Sequence, residues 1–117
     1  MAMDDALEIV SFTAGGYRFA VEARQVDHQF ASAPDAVVAV ETLLGLPPAS
    51  AVRRCWLGVG QHGVEVDGPV DLRSLPVSAI HPLPELVAVR LQLNGVRALA
   101  FEAESPLLLV DLRALLA

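Results

Sequence analysis

The sequence predicts an all-β protein, a barrel or sandwich of short strands, on three observations. Side chains alternate with a period of two along several stretches, as in Tyr17, Phe19 and Val21 against Arg18, Ala20 and Glu22. Gly-containing turns join such stretches in pairs, at Gly15-Gly16, at Gly60-Gln61-His62-Gly63 and at Asn94-Gly95. Helical periodicity is scarce, and breakers recur at Pro47-Pro48, Gly68-Pro69, Pro76, Pro82 and Pro84.

The first expected hairpin runs from Glu8 to Ala14, turns at Gly15-Gly16, and returns from Tyr17 to Val21. One helical turn is expected at Glu22 to Val26. The segment Asp27 to Asp35 is the least apolar and least patterned, and it reads as a loop. Ala36 to Val40 is a short strand, followed by a helical turn at Glu41 to Leu44 that Gly45 ends. The second hairpin pairs Cys55 to Val59 with Val64 to Val66 and stops at Asp67-Gly68. Val70 to Leu75 is a separate strand. The third hairpin is the clearest: Val87, Val89, Leu91 and Leu93 alternate with Ala88, Arg90, Gln92 and Asn94, and Asn94-Gly95 leads into Val96 to Phe101. Asn-Gly is favoured there because both residues tolerate positive φ. Leu107 to Val110 closes the strand set, and Leu112 to Leu116 forms a C-terminal helical turn.

Residues 1–117 make a single domain, long enough to bury a core without staples. The 54% hydrophobic content and mean hydropathy of +0.50 fit a dense β core together with an apolar surface that meets a partner. No stretch approaches the roughly 18–20 apolar residues a membrane span needs. The start, Met-Ala-Met-Asp-Asp, lacks the basic opening of a secretory signal, and Cys55 is the one cysteine. A reducing, cytoplasmic location is therefore expected. The net charge of −6, with Arg53-Arg54 as the one adjacent basic pair, argues against nucleic acid, which needs a clustered basic face.

No catalytic constellation assembles from the residue pattern. His28, His62 and His81 have no second His or Cys at ligand spacing, so no metal or other cofactor is expected. Cys55, inside Cys-Trp-Leu-Gly-Val, reads as a small core residue. Gly15-Gly16 precedes a strand, whereas a phosphate loop precedes a helix. No Ser lies in a nucleophile elbow, and the carboxylates are dispersed, with Asp67 and Asp71 at most a pair across a turn. The chain is not expected to be an enzyme.

The order of the strand motifs carries a resemblance. Glu8-Ile-Val-Ser-Phe-Thr-Ala-Gly-Gly-Tyr-Arg-Phe-Ala-Val-Glu-Ala-Arg-Gln-Val26 resembles the opening of CheW-like proteins. Val37-Val-Ala-Val-Glu-Thr-Leu-Leu-Gly-Leu-Pro-Pro48 is similar to the family's Pro-Val-x-Asp-Leu strand and its Leu-Gly exit. Gly63-Val-Glu-Val-Asp67, Leu75-Pro, Ile80-His-Pro-Leu-Pro84 and Leu107-Leu-Leu-Val-Asp-Leu-Arg-Ala-Leu-Leu116 follow in the family's order. The likeness runs from about Glu8 to Leu116. The family's Gly-Val-x-Asn-Leu-Arg-Gly segment has no counterpart here, and Ala36 and Glu41 stand where Pro and Asp are usual. In this abbreviation the chain resembles the short CheW-like type of the Frizzy motility pathway in gliding bacteria.

The resemblance implies two small SH3-like or OB-like five-stranded β-barrels packed together, the first abbreviated, with a short C-terminal helical turn. It implies a non-catalytic chemosensory adaptor at cytoplasmic chemoreceptor clusters, with the tips of methyl-accepting chemoreceptors as partners. The receptor groove falls on Val10, Ala23, Val26, Gln29 and Pro69, with Gln29 where an apolar residue is more usual. Plain core packing is the competing reading for Val10 and Val26. The absent segment lies toward the family's kinase, so direct binding of a CheA-type histidine kinase is expected to be lost or weakened. Another CheW-like protein is a further expected partner, and a shortened first barrel exposes an edge that favours homo-oligomers. An ordinary receptor–kinase coupler and a small ligand-binding barrel are the alternatives, the latter needing a cavity with converging polar groups.

Overall fold

In three strands, β1 (Ala6–Ala14), β2 (Tyr17–Glu22) and β9 (Ser105–Val110), successive side chains are buried on opposite faces, and this builds two cores. Val10, Phe12 and Ala14 of β1, Phe19 and Val21 of β2, and Leu108 and Val110 of β9 enter the first core. Ile9, Ala20, Leu107 and Leu109 enter the second. A strand buried on both faces is apolar at nearly every position, which is why Pro106 to Val110 reads as a continuous apolar run. The structure is a computed structural model that describes residues 5–48, 54–84, 93–102 and 105–117.

The remaining strands divide between the cores. β3 (His28–Phe30), β4 (Val37–Ala39) and β5 (Arg54–Val59) surround the first. β7 (Ile80–Pro82) adjoins the second, and β8 (Val96–Glu102) reaches both, with Val96 in the first and Ala98 and Ala100 in the second. β6 (His62–Pro76), at 15 residues, serves both: Val64 and Val66 enter the first core and Leu75 the second. The hydrogen-bonded path runs β3-β5-β6-β1-β2-β9-β8-β7, with β4 on β6, so the nine strands among the described residues form one sheet wrapped around two cores. Most pairings are antiparallel, but β2 pairs β9 and β4 pairs β6 in parallel. The fold is thus all-β with short helices, and its barrel-like halves share strands within one continuous sheet.

Most elements fall where the sequence places them, and four differ. The stretch Asp27 to Asp35, expected to be a loop, contains β3, because Gln29 and Phe30 find Leu57 and Trp56 across an antiparallel ladder. Val40, expected to end a strand, opens helix α1 (Val40–Leu44), so that Val40 and Leu44, four apart, share one core-facing stripe. Gly45, at φ 84°, ends it as expected. Asp67-Gly68 and Pro69 do not separate two strands: β6 runs through them, with a cis bond at Gly68–Pro69. Ile80 to Pro82, given no strand in the sequence and marked by the breaker Pro82, is the edge strand β7. The expected strand Val87 to Leu93 lies mostly outside the described residues, while Asn94 and Gly95 form the expected turn before β8. The turn at Glu22 to Val26 is a 3₁₀ turn, Ala23–Gln25, and the C-terminal helix is α2 (Leu112–Leu116).

Two contacts hold the first core. Phe12 and Phe19, directly paired across β1 and β2, stack with centroids 5.8 Å apart, and removing either ring from a buried site costs about 3–5 kcal/mol. At the abbreviated end, Arg54 of β5 gathers three carboxylates. Its guanidinium donates to Glu41 at 3.1 and 3.2 Å, to Glu65 at 3.2 Å and to Asp67. Glu65 also accepts from the Trp56 indole at 3.0 Å. Glu41 is 1% exposed and Arg54 15%, so this network ties α1 to β5 and β6 out of bulk water. Burial alone lowers the Arg54 pKa, but the hydrogen bonds to Glu41, Asp67 and Glu65 and the Glu41 charge outweigh it and hold the group above its ordinary range.

Breaking such a pair from one side leaves a buried charge unmatched, which costs far more than the pair contributes. Arg54→Met is expected to lower unfolding stability by about 3 kcal/mol in denaturant titration, and Arg54→Met with Glu41→Leu to recover much of the loss. Equal losses in the single and double variants would contradict the assignment.

Candidate functional site

The first core opens to the surface beside β3. Val10 of β1, Leu57 of β5, Val70 and Leu72 of β6, and Ala23 and Val26 at the 3₁₀ turn line a depression of about 360 Å³, with His28 and Gln29 of β3 on its rim. Strand register explains the gathering. Val10 lies directly opposite Leu72 on one side and Val21 on the other, and Gln29 lies opposite Leu57. Val70 and Leu72, two apart, share the face of β6 that looks toward Val10.

Val10 and Leu57 form a buried floor, 8% and 1% exposed, and both belong to the first core. Ala23, Val26 and Val70 are half-buried, and Leu72 is 69% exposed, the most exposed large apolar side chain among the described residues. An apolar surface that rises from a buried floor to an exposed lip suits an apolar ridge on another protein better than a small polar ligand. The rim supplies two polar groups, the His28 imidazole and the Gln29 amide.

His28 is fixed from two sides. Its ring meets Phe30 edge-on with centroids 4.3 Å apart, and it lies over the bare backbone of Gly58. A Cβ on Gly58 would stand 2.6 Å from the ring's Cε1, so a residue without a side chain is needed there. Beside it, Asp27 accepts the Gly60 amide at 3.0 Å and donates its own backbone N–H to the Gly58 carbonyl at 2.7 Å, pinning the entry to β3.

Of the five groove positions named from the sequence, Val10, Ala23, Val26 and Gln29 line this one depression. Pro69 is exposed and adjoins the lining residue Val70 without lining the groove itself. Val10 is also a core residue, and Val26 packs against the core, so for both the packing role and the lining role hold together. Sequence reasoning did not assign His28, Leu57, Val70 or Leu72 to the groove. The alternation Val70-x-Leu72 is a signal for the last two, since both must emerge on one face; nothing in the pattern marks His28 once β3 is read as loop.

Elsewhere the surface holds Phe101, 64% exposed, near His81 at 6.0 Å, and Val77, 49% exposed, on the second barrel's flank. Cys55 packs half-buried against the first core. Among the described residues no group of three or more His, Cys, Asp or Glu could hold a metal ion, and no helix is long and apolar enough to cross a membrane.

No family model matches the chain, and no curated protein matches it by sequence. The crystal structure of the scaffolding protein TtCheW from Thermoanaerobacter tengcongensis matches it with a TM-score of 0.73 at 15% identity, over 95% of this chain and 92% of that one. The chain therefore has the CheW fold.

The packing of His28 on Gly58 is directly testable. Gly58→Ala is expected to displace the His28 ring, read as a change in its side-chain NMR resonances, while unfolding stability stays within about 1 kcal/mol of the parent. Unchanged His28 resonances would contradict the fixed position.

Proposed function

We propose that the chain is a non-catalytic adaptor of bacterial chemosensory signalling that holds the cytoplasmic tip of a methyl-accepting chemoreceptor in the groove of the first barrel. The observation that carries this reading is that four positions picked from a sequence resemblance alone, Val10, Ala23, Val26 and Gln29, converge on one apolar depression in a chain with the CheW fold. A receptor tip is a helical hairpin, and a helix docks by laying an apolar ridge into such a trough. The buried Val10 and Leu57 exclude water beneath it, and exposed Leu72 supplies area to cover. Such an adaptor acts in the cytoplasm, at receptor clusters.

Direct binding of a CheA-type kinase is lost or weakened in this reading. The segment that carries Asn-Leu-Arg-Gly in CheW-like proteins is absent, and only the short stretch between β3 and β4, residues 31–36, spans its place.

Co-purification with a tagged copy of the chain tests both parts. Receptor is expected to be recovered and kinase to appear only together with receptor. Tight capture of the kinase alone would overturn the kinase part, and recovery of neither would overturn the adaptor assignment. Leu72→Glu is expected to weaken binding of a receptor cytoplasmic fragment by tenfold or more, because a carboxylate then faces an apolar trough, with stability changed by less than about 0.5 kcal/mol at so exposed a site. Undiminished affinity in Leu72→Glu, measured by titration calorimetry, would place the receptor elsewhere.

A further inference from the structure

Ala23 and Val26 line the groove, yet the turn that presents them has little to hold it. It is a single 3₁₀ turn without a side-chain cap, closed by one bond from the Val26 amide to the Ala23 carbonyl at 3.0 Å. Short 3₁₀ turns have poor hydrogen-bond geometry and do not persist unaided. What fixes this one is its inner residue. Gln25 is 8% exposed and reaches across to the far end of the chain. Its Oε1 accepts the Leu112 amide at 3.0 Å and the Arg113 amide at 3.3 Å, and its Nε2 donates to Asp111 Oδ1 at 3.1 Å.

These are amides that the first turn of α2 cannot satisfy within the helix. Asp111 completes the cap by accepting the Ala114 amide at 3.1 Å through the same Oδ1. Arg113 adds an outer tie, donating to the Arg24 carbonyl at 3.1 Å. The helix end is itself anchored, by fully buried Leu112 in the first core and by the Asp111 amide on the Gly95 carbonyl at 3.1 Å. The turn under the groove and the C-terminal helix therefore form one hydrogen-bonded body.

We propose that Gln25 is the positioning residue of the groove, transmitting the placement of the C-terminal helix to Ala23 and Val26, so that the helix end sets the groove's affinity for its occupant. Gln25 does not line the groove; its effect passes through the two residues it holds in register. The inference rests on the receptor-groove reading for the identity of the occupant, but the positioning itself does not need it.

Gln25→Glu tests it. The change removes the donor to Asp111 and sets two carboxylates against each other. Gln25→Glu with Asp111→Asn replaces that repulsion by a donor–acceptor pair, since the introduced amide can turn its Nδ2 to the introduced carboxylate, giving up the Ala114 amide bond that shares the same oxygen in the parent. Binding of a chemoreceptor cytoplasmic fragment is expected to weaken about tenfold in Gln25→Glu and to regain most of that loss, to within about threefold of the parent, in the double variant. The backbone amide resonances of Ala23 and Val26, recorded without receptor, are expected to move in the single variant and return in the double.

Arg113→Ala, which removes only the exposed outer tie, is expected to weaken binding about threefold, and it gives the answer should Gln25→Glu not fold. Resonances that respond as expected while even the parent fails to bind receptor would support the positioning and sink the receptor reading instead. Undisturbed Ala23 and Val26 resonances, or a loss of affinity in Gln25→Glu that Asp111→Asn does not restore, would overturn the proposal. So would parental affinity in both Gln25→Glu and Arg113→Ala.

Discussion

Everything in this molecule depends on three strands that are buried on both faces. Because β1, β2 and β9 each send alternate side chains into two cores, neither half can be built without the other. A one-residue slip of any of them would exchange the two sets, driving Phe12 and Phe19 toward the second core and Ile9 and Ala20 toward the first. The first core takes the stacked Phe12–Phe19 pair, while the second takes aliphatic side chains and the small Ala20, Ala98 and Ala100, so the two sides differ in the shapes they bury and a slip would misfit both. The groove follows from this register, since Val10 is the first residue of β1 to enter the first core, and its partner Leu72 emerges on the surface.

The abbreviated end of the first barrel uses a different device. An apolar plug would serve as well energetically, since replacing buried ion pairs by packed hydrophobic residues is often neutral or better. What the Arg54 network adds is direction. A planar guanidinium with five donors fits carboxylates from α1 and β6 in one arrangement only, and so fixes a five-residue helix that has no length to stabilise itself. Gln25 does the same beside the groove with an uncharged side chain, joining a 3₁₀ turn to the C-terminal helix. In both places a short element is held by one polar side chain with several hydrogen bonds rather than by propensity.

The strand set was legible in the sequence wherever one face or both faces are buried, because burial imposes the period of two on Tyr17 to Val21 and Val96 to Phe101. The helical turns were legible from their stops, Gly45 above all. Strands held by their ladders rather than by burial were not: β3 is two-thirds exposed residues and β7 two-thirds, so neither carries a pattern. The break expected at Gly68-Pro69 failed because β6 must pass from one core to the other, and a change of face looks like an interruption when read locally. For the groove, Val10, Ala23, Val26 and Gln29 came from resemblance, and physical periodicity alone marks Val70 and Leu72. His28 depends on Gly58, a pairing between distant residues that no local window contains.

The groove brings together a buried floor, an exposed leucine lip and two polar rim groups. The most direct test is to titrate the isotope-labelled chain with a chemoreceptor cytoplasmic fragment and follow every amide and methyl resonance. The largest changes are expected on Val10, Ala23, Val26, His28, Gln29 and Leu72, while the Arg54 end stays still. Changes centred on Phe101 and Val77 of the second barrel, with the groove resonances unmoved, would contradict a receptor seated in the first barrel.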